Sequence, residues 1–123
     1  VGGAWNSEEV SDGTIQSLAM LVAAADPRNT LLLIEEPENS VHPWILRTIV
    51  KRLRDLSKNK NVVLTTHSPV LVDMMRPEEV WVMYRQEGES HLEKLNKLDS
   101  ALQEKWEKGL SSLSTYLDEG VIG

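Results

Sequence analysis

The feature of this chain that most restricts its fold is a pair of short apolar runs separated by one amphipathic segment. Leu31-Leu32-Leu33-Ile34 is bounded by Asn29 on one side and by Glu35-Glu36-Pro37 on the other, and Val62-Val63-Leu64-Thr65-Thr66 is a second, β-rich run. A short apolar run with no polar alternation fits a strand buried on both faces of a parallel sheet. Between the two runs, Pro43 is a natural first-turn residue and Ile45, Ile49, Leu53 and Leu56 make an apolar helix stripe. Lys51, Arg52, Arg54 and Lys58 lie toward the end of that helix, where the dipole favours cations. Strand, helix and strand in this order imply a parallel sheet with a right-handed crossover, so the expected fold class is α/β. Ligands in such sheets sit at the carboxyl ends of the strands, which here carry Glu35, Glu36 and His67.

The flanking segments extend this plan. Residues 1–9 carry Gly2, Gly3 and Asn6 without periodicity and read as a loop or a ragged end. Ile15, Leu18, Ala19, Val22 and Ala23 follow helical spacing after the capping types Ser11 and Asp12, and Asp26-Pro27 ends that helix. Ser68-Pro69 is expected to cap a short helix through Met74. Val80 to Tyr84 and His91 to Leu95 flank Gln86-Glu87-Gly88-Glu89 and predict a β-hairpin. Leu98, Leu102 and Trp106 predict one helix, opened by a capping box from Ser100 to Gln103 and closed by Gly109. Leu110, Leu113 and Leu117 predict another, closed by Gly120.

Composition bounds what such a fold does. The 123 residues make one domain or part of one. Neither Leu31 to Ile34 nor the helical stretch from Ile15 to Ala25, interrupted by Gln16 and Ser17, reaches the roughly 20 apolar residues of a membrane span. The absence of Cys rules out disulfides and thiolate metal sites and suits a reducing cytoplasm. A net charge of −6 argues against the whole surface being a nucleic-acid footprint, although Arg47, Lys51, Arg52, Arg54, Lys58 and Lys60 form a local basic cluster. That cluster reads as a solvated helix face, with a DNA track as the alternative. Trp5, Trp44, Trp81 and Trp106 lack interleaved cations and read as packing residues. The first residue is Val1 rather than Met, so the N-terminus is read as a cut, with more chain upstream.

Three constellations carry chemistry. A strand ending in the consecutive carboxylates Glu35 and Glu36 suits phosphoryl transfer, where one acid holds Mg²⁺ and the next orients or deprotonates the attacking water. The same residues also suit a core strand followed by acidic helix caps. Thr65-Thr66-His67-Ser68-Pro69 ends the second strand with a His able to contact a γ-phosphate or that water, or simply to bond at a strand end. Val10-Ser11-Asp12-Gly13-Thr14 offers free N–H groups, a hydroxyl and a Gly at a helix N-terminus, which makes either an anion site or a plain N-cap.

In their order these three resemble the second half of ABC-type ATPases, in the branch that contains RecF, the SMC proteins and the overcoming-lysogenization-defect (OLD) nucleases. The resemblance runs from about Val10 to Asp73 and extends to Glu36-Pro37-Glu38, Val41-His42-Pro43 and the closing segment from Leu113 to Gly123. It implies that residues 1–123 are the C-terminal lobe of an ABC-type domain, a parallel-sheet half of a P-loop nucleoside triphosphatase with a β-hairpin and C-terminal helices. It implies ATP and Mg²⁺ as cofactors, Ser11 and Gly13 as the signature reaching across a head-to-tail homodimer, and Glu36 as the catalytic glutamate. It further implies Glu35 at the metal, His67 as the switch histidine, and Asn39 to His42 as the interface D-loop. Glu35 departs from the family's Asp by one methylene. No GxxxxGK[S/T] occurs in the chain, so the phosphate-binding P-loop has to come from an N-terminal lobe that is its partner in the complete domain. The expected activity is ATP hydrolysis in a DNA-repair or phage-defence machine, with DNA a candidate partner and this chain inactive by itself. A non-catalytic dimerisation module and the ATPase part of an OLD-type nuclease are the rival readings.

Overall fold

Ser11 starts the first helix by lending its side chain to the backbone. Its Oγ accepts from Thr14 N–H at 3.3 Å, and α1 then runs Asp12–Ala25. The helix stops at Asp26-Pro27, and its last carbonyls are covered by Lys60, whose Nζ donates to Ala24 O at 2.7 Å and to Asp26 O at 3.0 Å. A cation at this end also opposes the helix dipole. The computed structural model describes residues 11–39 and 41–118, and the chain divides into two compact units, Val1–His67 and Ser68–Gly123.

In the first unit β1 (Leu31–Glu35) leads through α2 (Pro43–Leu56) to β2 (Asn61–Thr65). The strands pair in parallel from Leu31 opposite Asn61 to Glu35 opposite Thr65, as the sequence predicts. Pro43 is the first residue of α2, and Leu46, Ile49, Val50 and Leu53 are its buried face. Each such side chain contributes about 1.5–3 kcal/mol on burial, so this face anchors the unit. Helix α1 packs on α2 and β1, and α2 packs on β2.

Burial differs from the sequence expectation in three places. Leu32 is buried, but Leu31 and Leu33 are 53% and 68% exposed, so β1 is covered on one face rather than two. On α1 the buried residues are Met20 and Ala24, whereas Leu18 and Val22 of the predicted stripe are exposed. From Leu18 to Ala25 every residue is apolar, so periodicity does not select a face there and the neighbouring elements do. Trp44 and Trp81 are exposed rather than packed, Trp106 is half-buried, and Trp5 lies outside the described residues.

The second unit opens with Ser68 capping α3 (Pro69–Val72) by accepting from Leu71 N–H. A 3₁₀ turn at Pro77–Glu79 leads into the hairpin of β3 (Trp81–Gln86) and β4 (Glu89–Lys94). The hairpin is antiparallel out to Gln86 opposite Glu89, tighter than the sequence suggests. Glu87 and Gly88 both take positive φ, 51° and 89°, the backbone a two-residue turn of primed type needs. The single predicted helix over Leu98, Leu102 and Trp106 is instead α4 (Leu95–Leu98) and α5 (Leu102–Glu107). The Ser100–Gln103 capping box does not form. Asp99 does that work, accepting from Ala101 N–H at 2.8 Å. Gly109, at φ 66°, ends α5 with Leu110 N–H bonded to Lys105 O and its own N–H to Trp106 O, the pair of bonds of a Schellman cap. The last helix, α6, spans Leu113–Asp118, and Gly120 lies outside the described residues. Leu95, Leu102, Leu113 and Tyr116 form this unit's core, with Val72, Met75, Val80, Val82, Trp106 and Leu117 against it.

Candidate functional site at the carboxyl ends of two parallel strands

Glu35 and Thr65 are the last paired residues of β1 and β2, so the chains leaving the two strands emerge side by side. Glu36 N–H still bonds to Thr65 O at 2.9 Å, extending the ladder by one residue. The backbone then turns through φ 43° at Glu36, the left-handed region that a non-glycine residue enters at a cost of about 1–3 kcal/mol. Asn39 N–H donates to Glu36 O at 3.0 Å, which makes Glu36–Asn39 a turn with Pro37 at its second position. Pro37 and Val41 are buried and root this turn in the unit.

The Glu36 carboxylate is the centre of the arrangement. Its Oε2 accepts from Asn39 Nδ2 at 2.7 Å, and its Oε1 lies 3.5 Å from His67 Nε2. The His67 side chain is 91% exposed and that of Glu36 33%. Exposed ion pairs contribute about 0–1 kcal/mol, well below what one buried side chain of α2 supplies. The contact therefore does not hold the fold together; it is held by the fold. Glu36, His67 and Asn39, read separately from the sequence, are thus brought together. Glu35, exposed at the end of β1, shares a face with Leu31 and Leu33 by strand alternation.

Ser11 and Gly13 stand apart from this group at the start of α1. The Ser11 hydroxyl is taken up locally, 2.8 Å from Thr14 Oγ1 and within reach of Thr14 N–H, and Gly13 O accepts from Ser17 Oγ at 2.7 Å. The capping role of Ser11 is therefore realised. Lys60 likewise leaves the basic cluster, because its ammonium is spent on the end of α1.

Glu38 enters the sequence reading only as part of the Glu36-Pro37-Glu38 match, with no role of its own. Its Oε1 accepts from the Thr66 hydroxyl at 2.6 Å and from His67 N–H at 3.1 Å. Beyond that match, the signal in the sequence is an acid soon after one strand and a hydroxyl just after the other.

Among the described residues no group of three or more His, Asp or Glu side chains is arranged to hold a metal ion. Mg²⁺ with a nucleotide needs only one or two carboxylates, its other ligands being waters and phosphate oxygens. The donor set of Glu35 and Glu36 fits that requirement, whereas no backbone phosphate cradle of the P-loop type is present in the sequence. Among the described residues no helix is long and apolar enough to cross a membrane.

Residues 1–73 match the family described as "AAA domain, putative AbiEii toxin, Type IV TA system". This stretch contains α1, β1, α2, β2 and the turns that follow both strands. ABC transporter A family member 9 of Dictyostelium discoideum is 28% identical over 68 residues, which is 55% of this chain and 8% of that protein, so the chain spans less than a tenth of that relative's length. No solved structure matches. With more than half of its length matched, the chain belongs to this AAA-domain family.

Proposed function

We propose that residues 1–123 are the C-terminal lobe of an ABC-type ATPase domain of the RecF/SMC/OLD branch, completed by an N-terminal P-loop lobe. The observation that carries this reading is the meeting of Glu36 and His67, 3.5 Å apart, at the carboxyl ends of adjacent parallel strands. Glu36 orients and deprotonates the attacking water, and Asn39 fixes one of its oxygens so that the other faces that water. His67 stands beside the free oxygen, with a ring N–H to offer the phosphoryl group or the water. Glu35 would hold Mg²⁺, which when bound would supply charge neutralisation at the phosphate. Ser11 and Gly13 serve the second subunit of a head-to-tail dimer formed on ATP, and Asn39 to His42 line the junction between subunits. The engine so described drives a DNA-repair or phage-defence machine, with DNA a partner to be tested; the OLD-type reading adds a nuclease domain elsewhere in the protein.

Glu36→Gln in the intact protein tests the assignment. The amide keeps the shape and loses the base, so turnover falls by about 100-fold or more while ATP binding persists and ATP-bound dimers accumulate. Unchanged ATPase activity rejects it. A second reading, a non-catalytic dimerisation module, draws on Glu35 in place of Asp and on the missing GxxxxGK[S/T]. Under that reading the wild-type protein has no turnover for Glu36→Gln to remove.

A further inference from the structure

Glu38 joins the two turns that form the site. It lies in the turn leaving β1, and its Oε1 takes both the Thr66 hydroxyl, at 2.6 Å, and His67 N–H, at 3.1 Å, from the turn leaving β2. Its other oxygen, Oε2, is buried and has no hydrogen-bond partner among the described residues. A carboxylate oxygen in that condition lowers stability, since its desolvation is not repaid. A purely structural link would be better made by a side chain with no orphaned polar atom, so stability alone does not account for the placing of this side chain. His67 supplies the second half of the argument. Its side chain is 91% exposed and so is little held by packing; among the described residues its polar contacts are the N–H bond to Glu38 and the approach of its ring to Glu36. The place of the imidazole is therefore set through its backbone, and the backbone is fixed by Glu38. Glu38 is itself carried on a turn rooted by the buried Pro37 and Val41.

We infer that Glu38 is a positioning residue that, through its bonds to Thr66 and His67, fixes the His67 imidazole against Glu36. The inference rests on the ATPase reading above and adds to it a residue that acts through Thr66 and His67.

The test measures kcat and KM for MgATP in the intact ATPase carrying Glu38→Asp, Glu38→Gln, His67→Ala, and Glu38→Asp combined with His67→Ala, alongside thermal melts of each. Asp keeps the charge but falls one methylene short of both donors. Its kcat falls by about 10- to 100-fold with KM unchanged, because a misplacement of about 1 Å at a reacting centre costs on that order. Gln keeps an oxygen where Oε1 lies and recovers most of the loss. In the His67→Ala background, Glu38→Asp costs nothing further, since two residues acting as one unit are not additive. A full additional loss in that background overturns the inference, as does no loss in Glu38→Asp or in His67→Ala. If Glu38→Asp does not fold, Thr66→Val, which removes one of the two donors to Glu38 Oε1, decides: a kcat loss of about tenfold or more that disappears in the His67→Ala background sustains the inference, and no loss, or the same loss in that background, overturns it. The Glu36→Gln variant separates the two failures. Turnover surviving there removes the ATPase site altogether, whereas turnover lost there with additive Glu38 and His67 effects removes only the role of Glu38.

Discussion

At Glu36 the backbone enters the left-handed region immediately after strand pairing ends, and the carboxylate is met from two sides by Asn39 and His67. Strain of this kind persists only where the surroundings over-determine it, and here the buried Pro37 and the bond from Asn39 N–H to Glu36 O do so. Glu35 has no such constraint. It is exposed at the strand end, where an extra methylene extends its carboxylate beyond the reach of the Asp usual in the resembling family. Glu35→Asp in the intact protein is expected to leave Mg²⁺-dependent turnover equal or raise it by up to about fivefold, which corresponds to about 1 kcal/mol of barrier. A steady-state assay over a Mg²⁺ series checks this. Abolished activity in the Asp variant would mean that the longer side chain is itself required. Glu36 and His67 were legible as candidates because strand ends collect ligands in parallel sheets. The role of Glu38 was not, because its donors lie 28 and 29 residues away and only pairing of the two strands brings them within reach.

Among the elements, helix existence followed the sequence more closely than helix orientation. Helix α2 buries Leu46, Ile49, Val50 and Leu53, close to its predicted stripe, because charged residues mark its other side. Helix α1 has no such contrast from Leu18 to Ala25, and the face predicted from spacing proved to be the exposed one. In the second unit Asp99, rather than the Ser100–Gln103 pair, organises the start of α5 and also receives α6 through Tyr116 OH at 3.1 Å. The Asp99 carboxyl is held below its ordinary pKa first by Ala101 N–H, with Tyr116 and Lys105 adding to the effect. Burial, and then the bond to Asp99, push the Tyr116 phenol up to about 12. The protonated phenol is thus favoured in the folded state, so the stability it contributes is fully present below about pH 10, the value of a free Tyr. It is lost as pH rises toward 12. Tyr116→Phe is expected to lower stability by about 0.5–1.5 kcal/mol near neutrality. Between pH 10 and 12 the difference from wild type should shrink, as read from urea midpoints at matched ionic strength. A gap that stays constant over that range would show that the Tyr116 hydroxyl is not linked to folding.

For the molecule as a whole the strongest constraint is the phosphate-binding loop that these 123 residues do not contain. In P-loop proteins a triphosphate is held chiefly by the backbone N–H nest and the Lys of that loop. What this chain offers is mostly acidic: Glu35, Glu36 and Glu38 at the strand ends, within a net charge of −6. Carboxylates without a compensating cation repel a nucleotide polyanion. The chain alone is therefore expected to give no measurable ATP binding by calorimetry and no hydrolysis, with both restored when the proposed upstream lobe is supplied, covalently or as a separate chain. Tight binding by the isolated chain would place the nucleotide site on residues other than these.

By itself the sequence determined the α/β class, the parallel order of Leu31–Glu35 and Asn61–Thr65, and the acids and His at their ends, because apolar run length, capping residues and strand-end chemistry are local properties written in consecutive residues. Tertiary structure alone decided which face of α1 is buried, that β1 is covered on one side only, that Asp99 rather than Ser100 organises α5, and that Glu38 bonds to Thr66 and His67. Each of these depends on what another segment of the chain brings to the same place, and an apolar stretch or an acid in a turn carries no mark of which distant partner that will be.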